Sequence, residues 1–249
     1  IHLAAKVAGV KTNAEKIADM YTVNVQINTN VLDTARKFNV KKLVTALSNC
    51  VYEENPPQPP TEKDIYTGMP FHGHAGYGYA KRMLDLQIHL LKKQYGCNFT
   101  SITQVTIFGP NDNWNFNEGH VVGALVSKCF LAKKNGTPFE VWGSGRAVRQ
   151  FVFSEDIARV LLEVLETYNE PETVIVSASA GVTIKELAET IAKVMDFRGE
   201  IRFDSSKPEG QLIRVLNNDK FQKLFPKFKF SPLEESLKRT VDWYEKNQQ

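Results

Sequence analysis

The chain places a phenol and an ammonium group at helical spacing, at Tyr77 and Lys81. Residues four apart lie on the same face of a helix, with their β-carbons roughly 5–6 Å apart. Because a nearby cation favours the phenolate, we expect Lys81 to lower the pKa of Tyr77 from its usual value near ~10. Such a tyrosine can exchange a proton with an oxygen that changes between ketone and alcohol. The alternative is a solvent-facing lysine beside a tyrosine that only packs.

A hydroxyl group ends the short apolar run that begins at Lys41 and finishes at Ser48. A run of this length, bounded by polar residues, is typical of a buried parallel strand. Ligands of open α/β sheets bind beyond the carboxyl ends of the strands, which is where Ser48 falls. Ser48 is therefore a candidate ligand-binding residue.

Ser48, Tyr77 and Lys81 together match the catalytic trio of the short-chain dehydrogenase/reductase family, and the chain most resembles the extended, sugar-nucleotide-modifying branch of that family. The resemblance implies that the Ser48 and Tyr77 hydroxyls hold the substrate oxygen. It also implies that Lys81 binds the nicotinamide ribose of NADP and biases Tyr77. The resemblance extends over essentially the whole chain, and its most specific motifs are Leu47-Ser48-x-Cys50, Tyr77-Gly78-Tyr79-Ala80-Lys81-Arg82-Met83 and Phe108-Gly109-Pro110-x-Asp112-Asn113.

Two further residues, Cys50 and His120, are candidates for acid/base chemistry. A thiol with a pKa near ~8.5 can act as a general base if a cation or the substrate carbonyl assists it. His120 precedes a predicted helix, where a neutral imidazole can still exchange protons. The alternatives are a core cysteine and a surface histidine. No Asp-Glu pair follows Ser48, which argues against a 4,6-dehydratase.

The resemblance implies that Cys50 and His120 are the acid/base pair of an NADPH-dependent enzyme that epimerises C3 and C5 and reduces C4 of GDP-4-keto-6-deoxy-D-mannose. It assigns nucleotide-sugar contacts to Lys128, Trp142, Arg149 and Glu209, with Glu209 in the place of the family's usual Asp. Lysine and arginine suit the charge of a diphosphate. Without the resemblance, a solvated helix lysine, a core tryptophan and a surface arginine are equally good readings. The NADP contacts that the resemblance implies are Ala46, Leu47, Ser48, Asn49, Lys81, Gln104, Val105, Thr106, Ile107 and His120.

The composition limits the classes of function. The 249 residues are 42% hydrophobic, which is enough for one sizeable core or a core with a smaller lobe. The net charge of +3, with basic residues scattered among 28 acids, argues against a nucleic-acid groove. No apolar run approaches the ~20 residues that span a bilayer. Three cysteines without Cys-x-x-Cys spacing indicate reduced thiols in the cytoplasm, and no metal-binding cluster stands out.

Alternating strand and helix patterns predict the α/β class with a parallel sheet. We expect a partial Rossmann-like, doubly wound sheet with a smaller C-terminal α/β lobe that binds substrate. The predicted NADP-binding domain spans residues 1–110, with residues near 150–180 returning to it, and residues 111–249 form mainly the lobe. Hydrophobic periodicity predicts helices over 14–39 and 77–95, and β-branched residues predict a strand over 99–108.

The amino terminus begins inside a predicted strand, and no glycine-rich phosphate-binding turn follows that strand. We therefore expect the chain to lack the front of its cofactor domain. Two alternatives stay open: another nucleotide-sugar epimerase or reductase of the same branch, and a catalytically inactive fragment. The resemblance also implies a homodimer, formed through the long helices that precede Asn39 and follow Tyr77.

Overall fold

The computed structural model describes residues 1–56, 59–115, 118–178, 181–207 and 210–247. In chain order, its helices are α1 (Val10–Glu15), α2 (Ile17–Lys37), α3 (Ala75–Tyr95), α4 (Val121–Asn135), α5 (Ser154–Thr167), α6 (Ile184–Val194), α7 (Asp219–Leu224) and α8 (Leu233–Asn247). Its strands are β1 (Leu43–Ala46), β2 (Phe99–Gln104), β3 (Thr106–Phe108), β4 (Phe139–Trp142), β5 (Val148–Arg149), β6 (Phe151–Phe153), β7 (Val174–Val176), β8 (Val182–Thr183), β9 (Ile201–Asp204) and β10 (Ile213–Arg214). Three 3₁₀ turns lie at Asn49–Val51, Glu62–Asp64 and His72–His74.

The chain folds as two compact units. Unit 1 comprises residues 1–105, 157–176 and 216–228, and unit 2 comprises 106–156, 177–215 and 229–249. The domains predicted from the sequence instead had residues 106–110 in the first domain and residues 216–228 in the lobe. The difference arises because β3 pairs with β6 in unit 2, whereas α7 packs against β7 in unit 1.

Unit 1 contains a parallel sheet in the order β1-β2-β7. The first five residues of β2 are buried, which accounts for its run of β-branched and aromatic residues. His2 forms a parallel bridge with Thr45 on the other side of β1. The predicted strand over 99–108 is wrong in one respect: it is interrupted at Val105. Its first half pairs within unit 1, and its second half pairs within unit 2.

Helices α2 and α3 of unit 1 lie side by side and run in the same direction. Their amino-terminal ends meet where a β-carbon built at Gly76 would come within 2.1 Å of the Ile17 carbonyl oxygen. Near their carboxyl-terminal ends, the Arg36 guanidinium lies 4.6 Å from the centre of the Tyr95 ring. The predicted helix over 14–39 is instead two helices, because the backbone at Lys16 is not helical (φ −118°, ψ 40°).

Unit 2 combines short strand pairs with three helices. The parallel pairs are β3–β6, β4–β9 and β5–β10, and β8 joins β5 antiparallel. Its core packs α4, α6 and α8 around buried side chains that include Phe139, Leu187 and Leu237. Helix α6 begins with a capping box between Thr183 and Glu186, as that sequence pattern indicates. Within the described ranges, every helix is too short or too polar to cross a bilayer.

Candidate active site

Helix α3 carries Tyr77 and Lys81 one turn apart, next to the carboxyl end of β1. The Lys81 side chain is only 3% exposed, and its Nζ donates a hydrogen bond to the Ala46 carbonyl oxygen at 2.7 Å. The same nitrogen lies 5.6 Å from the centre of the Tyr77 ring. Tyr77 and Lys81 therefore lie on the same face of α3, as predicted, and this face is directed toward the carboxyl end of β1.

Ser48 and Cys50 lie in the segment that leaves β1. The Ser48 Oγ accepts a hydrogen bond from the Cys50 backbone N–H at 3.2 Å, so Ser48 caps the 3₁₀ turn that carries the thiol. This turn packs against α3, where a β-carbon built at Gly78 would come within 2.5 Å of the Cys50 carbonyl oxygen. The structure thus brings together two hydroxyl groups, an amine and a thiol.

The electrostatics of this cluster differ from the expectation. Burial raises the pKa of Tyr77, and the negative charge of a Cys50 thiolate raises it further. Burial lowers the pKa of Lys81 to about 8, while Cys50 acts in the opposite direction. The prediction that Lys81 lowers the pKa of Tyr77 is therefore wrong for this structure, because desolvation of the buried phenol sets the direction of the shift. The charge of a Cys50 thiolate thus acts on both groups.

The carboxyl edge of β1 and β2 provides polar groups for a cofactor. The Gln104 Nε2 donates to the Leu47 carbonyl oxygen at 2.8 Å, while its Oε1 is buried without a hydrogen-bond partner. A buried orphan acceptor is costly unless a ligand donor satisfies it. Together with the buried amine of Lys81, this acceptor fits the polar end of a dinucleotide. Of the other predicted cofactor contacts, Ala46, Ser48, Asn49 and Val105 lie in unit 1, and Thr106, Ile107 and His120 lie in unit 2.

His120 is the N-cap residue of α4 in unit 2, and its side chain is exposed and makes no capping hydrogen bond. Its charge acts on Asp112, whose pKa is raised mainly by burial. The Asp112 Oδ2 is buried without a hydrogen-bond partner. The loop that holds Asp112 packs closely on the start of α4, where a β-carbon at Gly119 would come within 2.2 Å of the Asn113 carbonyl oxygen.

Lys128 and Trp142 form a second cluster in unit 2. The Lys128 Nζ lies 4.1 Å from the centre of the Trp142 indole ring, and burial lowers the pKa of Lys128. Both residues line a surface pocket of about 270 Å³, together with Leu131, Ala132, Thr137, Pro138 and Glu140. An aromatic face beside an ammonium suits a ligand with a planar base and negative charge.

Arg149 lies on β5 and contacts a neighbouring segment of unit 2. Its guanidinium donates to the carbonyl oxygens of Val148 at 2.8 Å and of Gln211. It thus holds the segment that precedes β10. Glu209, the fourth predicted substrate contact, lies outside the described residues. Among the described residues, no group of three or more His, Cys, Asp and Glu side chains is arranged to hold a metal ion.

Two residues of unit 1 were not recognised from the sequence as parts of the site. Gly78 permits the close approach of the Cys50 turn to α3, and the guanidinium of Arg82 binds the backbone of the same turn. A glycine inside a helical pattern is the available signal for such close approach. Arg82 lies in the family-like motif from Tyr77 to Met83, but no role was assigned to it, because an arginine in a helix is ordinarily a surface residue.

Comparison with known proteins agrees with this geometry. The NAD dependent epimerase/dehydratase family matches residues 1–177. GDP-L-fucose synthase from Dictyostelium discoideum is 36% identical over 246 residues, which cover 98% of this chain and 77% of that protein. The chain belongs to the GDP-L-fucose synthases of this epimerase/dehydratase family. The family member from Escherichia coli is 32% identical, over 98% of this chain and 79% of the relative.

Solved structures also support the assignment of the chain to the GDP-L-fucose synthases. The crystal structure of a GDP-L-fucose synthetase from Naegleria fowleri bound to NADP has a TM-score of 0.94 and 38% identity, and the match covers 99% of this chain and 76% of that chain. The predicted α/β class with Rossmann-like parallel strands is therefore confirmed.

Proposed function

We propose that this protein catalyses the NADPH-dependent 3,5-epimerisation and 4-reduction of GDP-4-keto-6-deoxy-D-mannose to GDP-L-fucose. The observation that carries the proposal is the cluster of Ser48, Cys50, Tyr77 and Lys81 in unit 1, in a chain about one third identical to GDP-L-fucose synthases over nearly its whole length. A reductase trio alone would support only reduction. The adjacent thiol adds a base for epimerisation.

The epimerisation follows from the acidity of the sugar. A ketone at C4 acidifies the hydrogens on C3 and C5, and removal of either hydrogen produces an enolate. The Ser48 and Tyr77 hydroxyls would donate hydrogen bonds to the developing oxyanion. We assign the removal of each proton to Cys50, and the delivery of a solvent-derived proton to the opposite face to His120. The thiol then loses its proton to solvent before the next removal. The raised pKa of Tyr77 favours this division of roles, because Tyr77 stays protonated and remains a donor.

The reduction uses the same oxyanion site. NADPH supplies a hydride to C4 when it is bound. Tyr77 would protonate the resulting alkoxide, and Lys81 would hold the ribose next to this tyrosine. The groups proposed to hold the cofactor are the strand-end residues Ala46 to Asn49 and Gln104 to Ile107, together with Lys81 and His120. For the nucleotide-sugar, we propose Lys128, Trp142, Arg149 and Glu209.

A test separates this proposal from the alternatives. The protein is incubated with substrate in deuterium oxide without NADPH, and deuterium at C3 and C5 is measured by mass spectrometry. NADPH is then added and the product is identified. Exchange at both carbons followed by formation of GDP-L-fucose is expected. Reduction without exchange would point to another nucleotide-sugar reductase of the branch. Failure to bind NADPH in a fluorescence titration would point to an inactive chain.

We also propose that the protein is a cytoplasmic homodimer that pairs through α2 and α3. Both helices expose apolar residues at four-residue spacing, Ile17 with Tyr21 and Leu86 with Leu90. A groove of about 460 Å³ between the helix starts is lined almost entirely by apolar atoms, including those of Ile17, Tyr21 and Met83. Exposed apolar rows on a paired helix face are typical of interfaces. Cys50, Cys97 and Cys129 form no disulfide, which fits a reducing compartment.

A further inference from the structure

Arg82 follows Lys81 on α3, and its side chain is 5% exposed. Its Nε donates to the Val51 carbonyl oxygen at 2.7 Å, its Nη1 to that of Gly68 at 3.0 Å, and its Nη2 to that of Thr67 at 2.9 Å. A guanidinium carries its donors in a rigid planar fork. The three carbonyl groups fix the orientation of the guanidinium. The guanidinium in turn holds the backbone segments that carry these carbonyl groups.

The three carbonyl groups come from two separate segments. Val51 is the last residue of the 3₁₀ turn that carries Cys50, whereas Thr67 and Gly68 belong to a loop. That loop is tied to α3 a second time, because the Tyr66 hydroxyl donates to the Asp85 Oδ2 at 2.7 Å. Arg82 therefore joins the Cys50 turn, the loop and the catalytic helix into one assembly.

The three hydrogen-bond acceptors of Arg82 are uncharged carbonyl groups. The centre of the Tyr79 ring lies 5.5 Å from the guanidinium and the charge of Glu53 favours the cation, yet burial still lowers the pKa of Arg82. A buried cation whose direct hydrogen-bond acceptors are all uncharged is costly compared with an apolar side chain of similar volume. We therefore expect the buried guanidinium to serve a purpose other than stability, namely to fix the position of a segment of the chain. Proton transfer requires such a fixed position, because a base must lie within hydrogen-bond reach of the proton that it removes.

We infer that Arg82 is a positioning residue that holds the Cys50 turn against α3, so that the thiol keeps a fixed position relative to Tyr77 and Lys81. This inference rests on the proposed function only for its catalytic consequence. Lysine cannot replace arginine here, because one ammonium cannot reach three carbonyl groups in a planar fork. The positive charge alone therefore does not hold the Cys50 turn; the planar arrangement of the donors is also needed.

The test uses Arg82→Lys, which keeps the charge, and Arg82→Met as the harsher variant. Each protein is treated with iodoacetamide at several pH values, and the alkylation of each cysteine is followed by peptide mass spectrometry. Cys97 serves as the internal reference, because it is also partly exposed. Arg202→Lys is the matched control, since Arg202 pairs with Glu200 in unit 2 rather than with the turn.

We expect Cys50 in Arg82→Lys to be alkylated several-fold faster than in wild type at a pH where the thiol is fully ionised, because the freed turn exposes it. Cys97 in every protein, and Cys50 in the Arg202→Lys protein, should react at wild-type rates. Unchanged alkylation of Cys50 in a folded Arg82→Lys protein overturns the inference. A lower melting temperature with unchanged alkylation does the same, because it would show a merely structural role.

The catalytic consequence is measured separately. Deuterium exchange at C3 and C5 without NADPH should fall ~10-fold or more in Arg82→Lys. Reduction of a 4-keto sugar nucleotide that needs no epimerisation should fall much less. Equal loss of both reactions overturns the inference. If wild-type protein exchanges no deuterium while Cys50 alkylation still responds to Arg82, the proposed function fails and the positioning of Cys50 stands.

Discussion

A β-carbon added at Gly78 would lie 2.5 Å from the carbonyl oxygen of Cys50. Such a separation is far below any ordinary carbon–oxygen contact. The Cys50 turn can therefore lie this close to α3 only because glycine has no β-carbon. Because Gly78 directly follows Tyr77, it helps to set the separation between the thiol and the phenol. One glycine thus links the backbone of the proposed base to the helix of the proposed acid.

Gly78→Ala should impair epimerisation and lower stability. An alanine inside a helix is ordinarily favoured over glycine by roughly 0.5–1 kcal/mol. Here the methyl group must displace the Cys50 turn or the Pro70 ring, which also lies within 3 Å of the added carbon. Urea unfolding and deuterium exchange measure the two effects. Gly96→Asn is the control, since that position has open space and a left-handed backbone that asparagine tolerates.

A Gly78→Ala protein that is more stable than wild type and exchanges deuterium at the wild-type rate would contradict the close approach. Loss of both properties in Gly96→Asn as well would show that any glycine substitution in α3 is harmful, and the effect could not be assigned to the Cys50 turn.

Cys50→Ser should abolish deuterium exchange at C3 and C5 and retain reduction of a 4-keto sugar nucleotide that needs no epimerisation. A serine hydroxyl is a far weaker acid than a thiol, so its anion is not available as a base near neutral pH. The trio of Ser48, Tyr77 and Lys81 is unchanged in this variant. Cys97→Ser is the matched control and should leave both reactions intact. Equal loss of both reactions in Cys50→Ser would show that the thiol has a different role.

The sequence predicted where Ser48, Tyr77 and Lys81 lie in unit 1 better than it predicted their electrostatics. Tyr77 and Lys81 come together because helical spacing is local, and Ser48 joins them because the end of a parallel strand is a fixed position. The direction of the Tyr77 pKa shift could not be predicted, since it depends on how much protein surrounds the phenol. Burial is a tertiary property that the local spacing does not contain.

The elements of the fold were predicted to a similar extent. The pattern from Tyr77 to Tyr95 indicates a helix, and α3 adds only two residues at its start. The β-branched run over 99–108 indicates a strand but not its interruption, because a change of partner at Val105 depends on strands that are distant in the chain. The return of residues 216–228 to unit 1 was not predicted for the same reason, because it also depends on contacts between segments that are distant in the chain.

The stability of the protein should depend on pH through Lys81. Burial lowers the pKa of Lys81 from 10.5 to about 8 in the folded protein. Between these values the unfolded chain holds a proton that the folded protein lacks, so the free energy of unfolding rises with pH. Below pH 8 both states are protonated, and the cost of burying the charge is fully present. Relative to Lys81→Met, wild type should gain on the order of 3 kcal/mol across this window.

Urea unfolding of wild type and Lys81→Met at four pH values between 7 and 10.5 measures this difference. The comparison cancels groups that are not coupled to Lys81. Lys92→Met is the control, because Lys92 lies in the last turn of the same helix and shows no such burial. Parallel curves for wild type and Lys81→Met would mean that the ammonium keeps its ordinary pKa.

Lys128→Met should weaken the binding of GDP. The Lys128 Nζ lies against the Trp142 ring in a shared pocket, so its charge is placed for a ligand phosphate. A charge-assisted hydrogen bond contributes roughly 1.5–3 kcal/mol, which is about 10- to 100-fold in Kd. Isothermal titration calorimetry measures the affinity, and Trp142→Phe tests the aromatic face. Lys134→Met, exposed on the same helix, should bind GDP as wild type does. Equal affinities for wild type and Lys128→Met would remove Lys128 from the proposed contacts.

Leu90→Lys should convert the proposed dimer to monomers. Leu90 is 54% exposed on α3, one turn after the exposed Leu86, and a lysine there would place a charge within the apolar row. Burying an unpaired charge in an interface costs more than the leucine contributes by its own burial. Sedimentation equilibrium measures the mass in solution. Leu162→Lys is a closely matched control, because Leu162 is 52% exposed but lies on α5, away from this row. A dimer that survives Leu90→Lys, or that both substitutions disrupt equally, would place the interface elsewhere on the molecule.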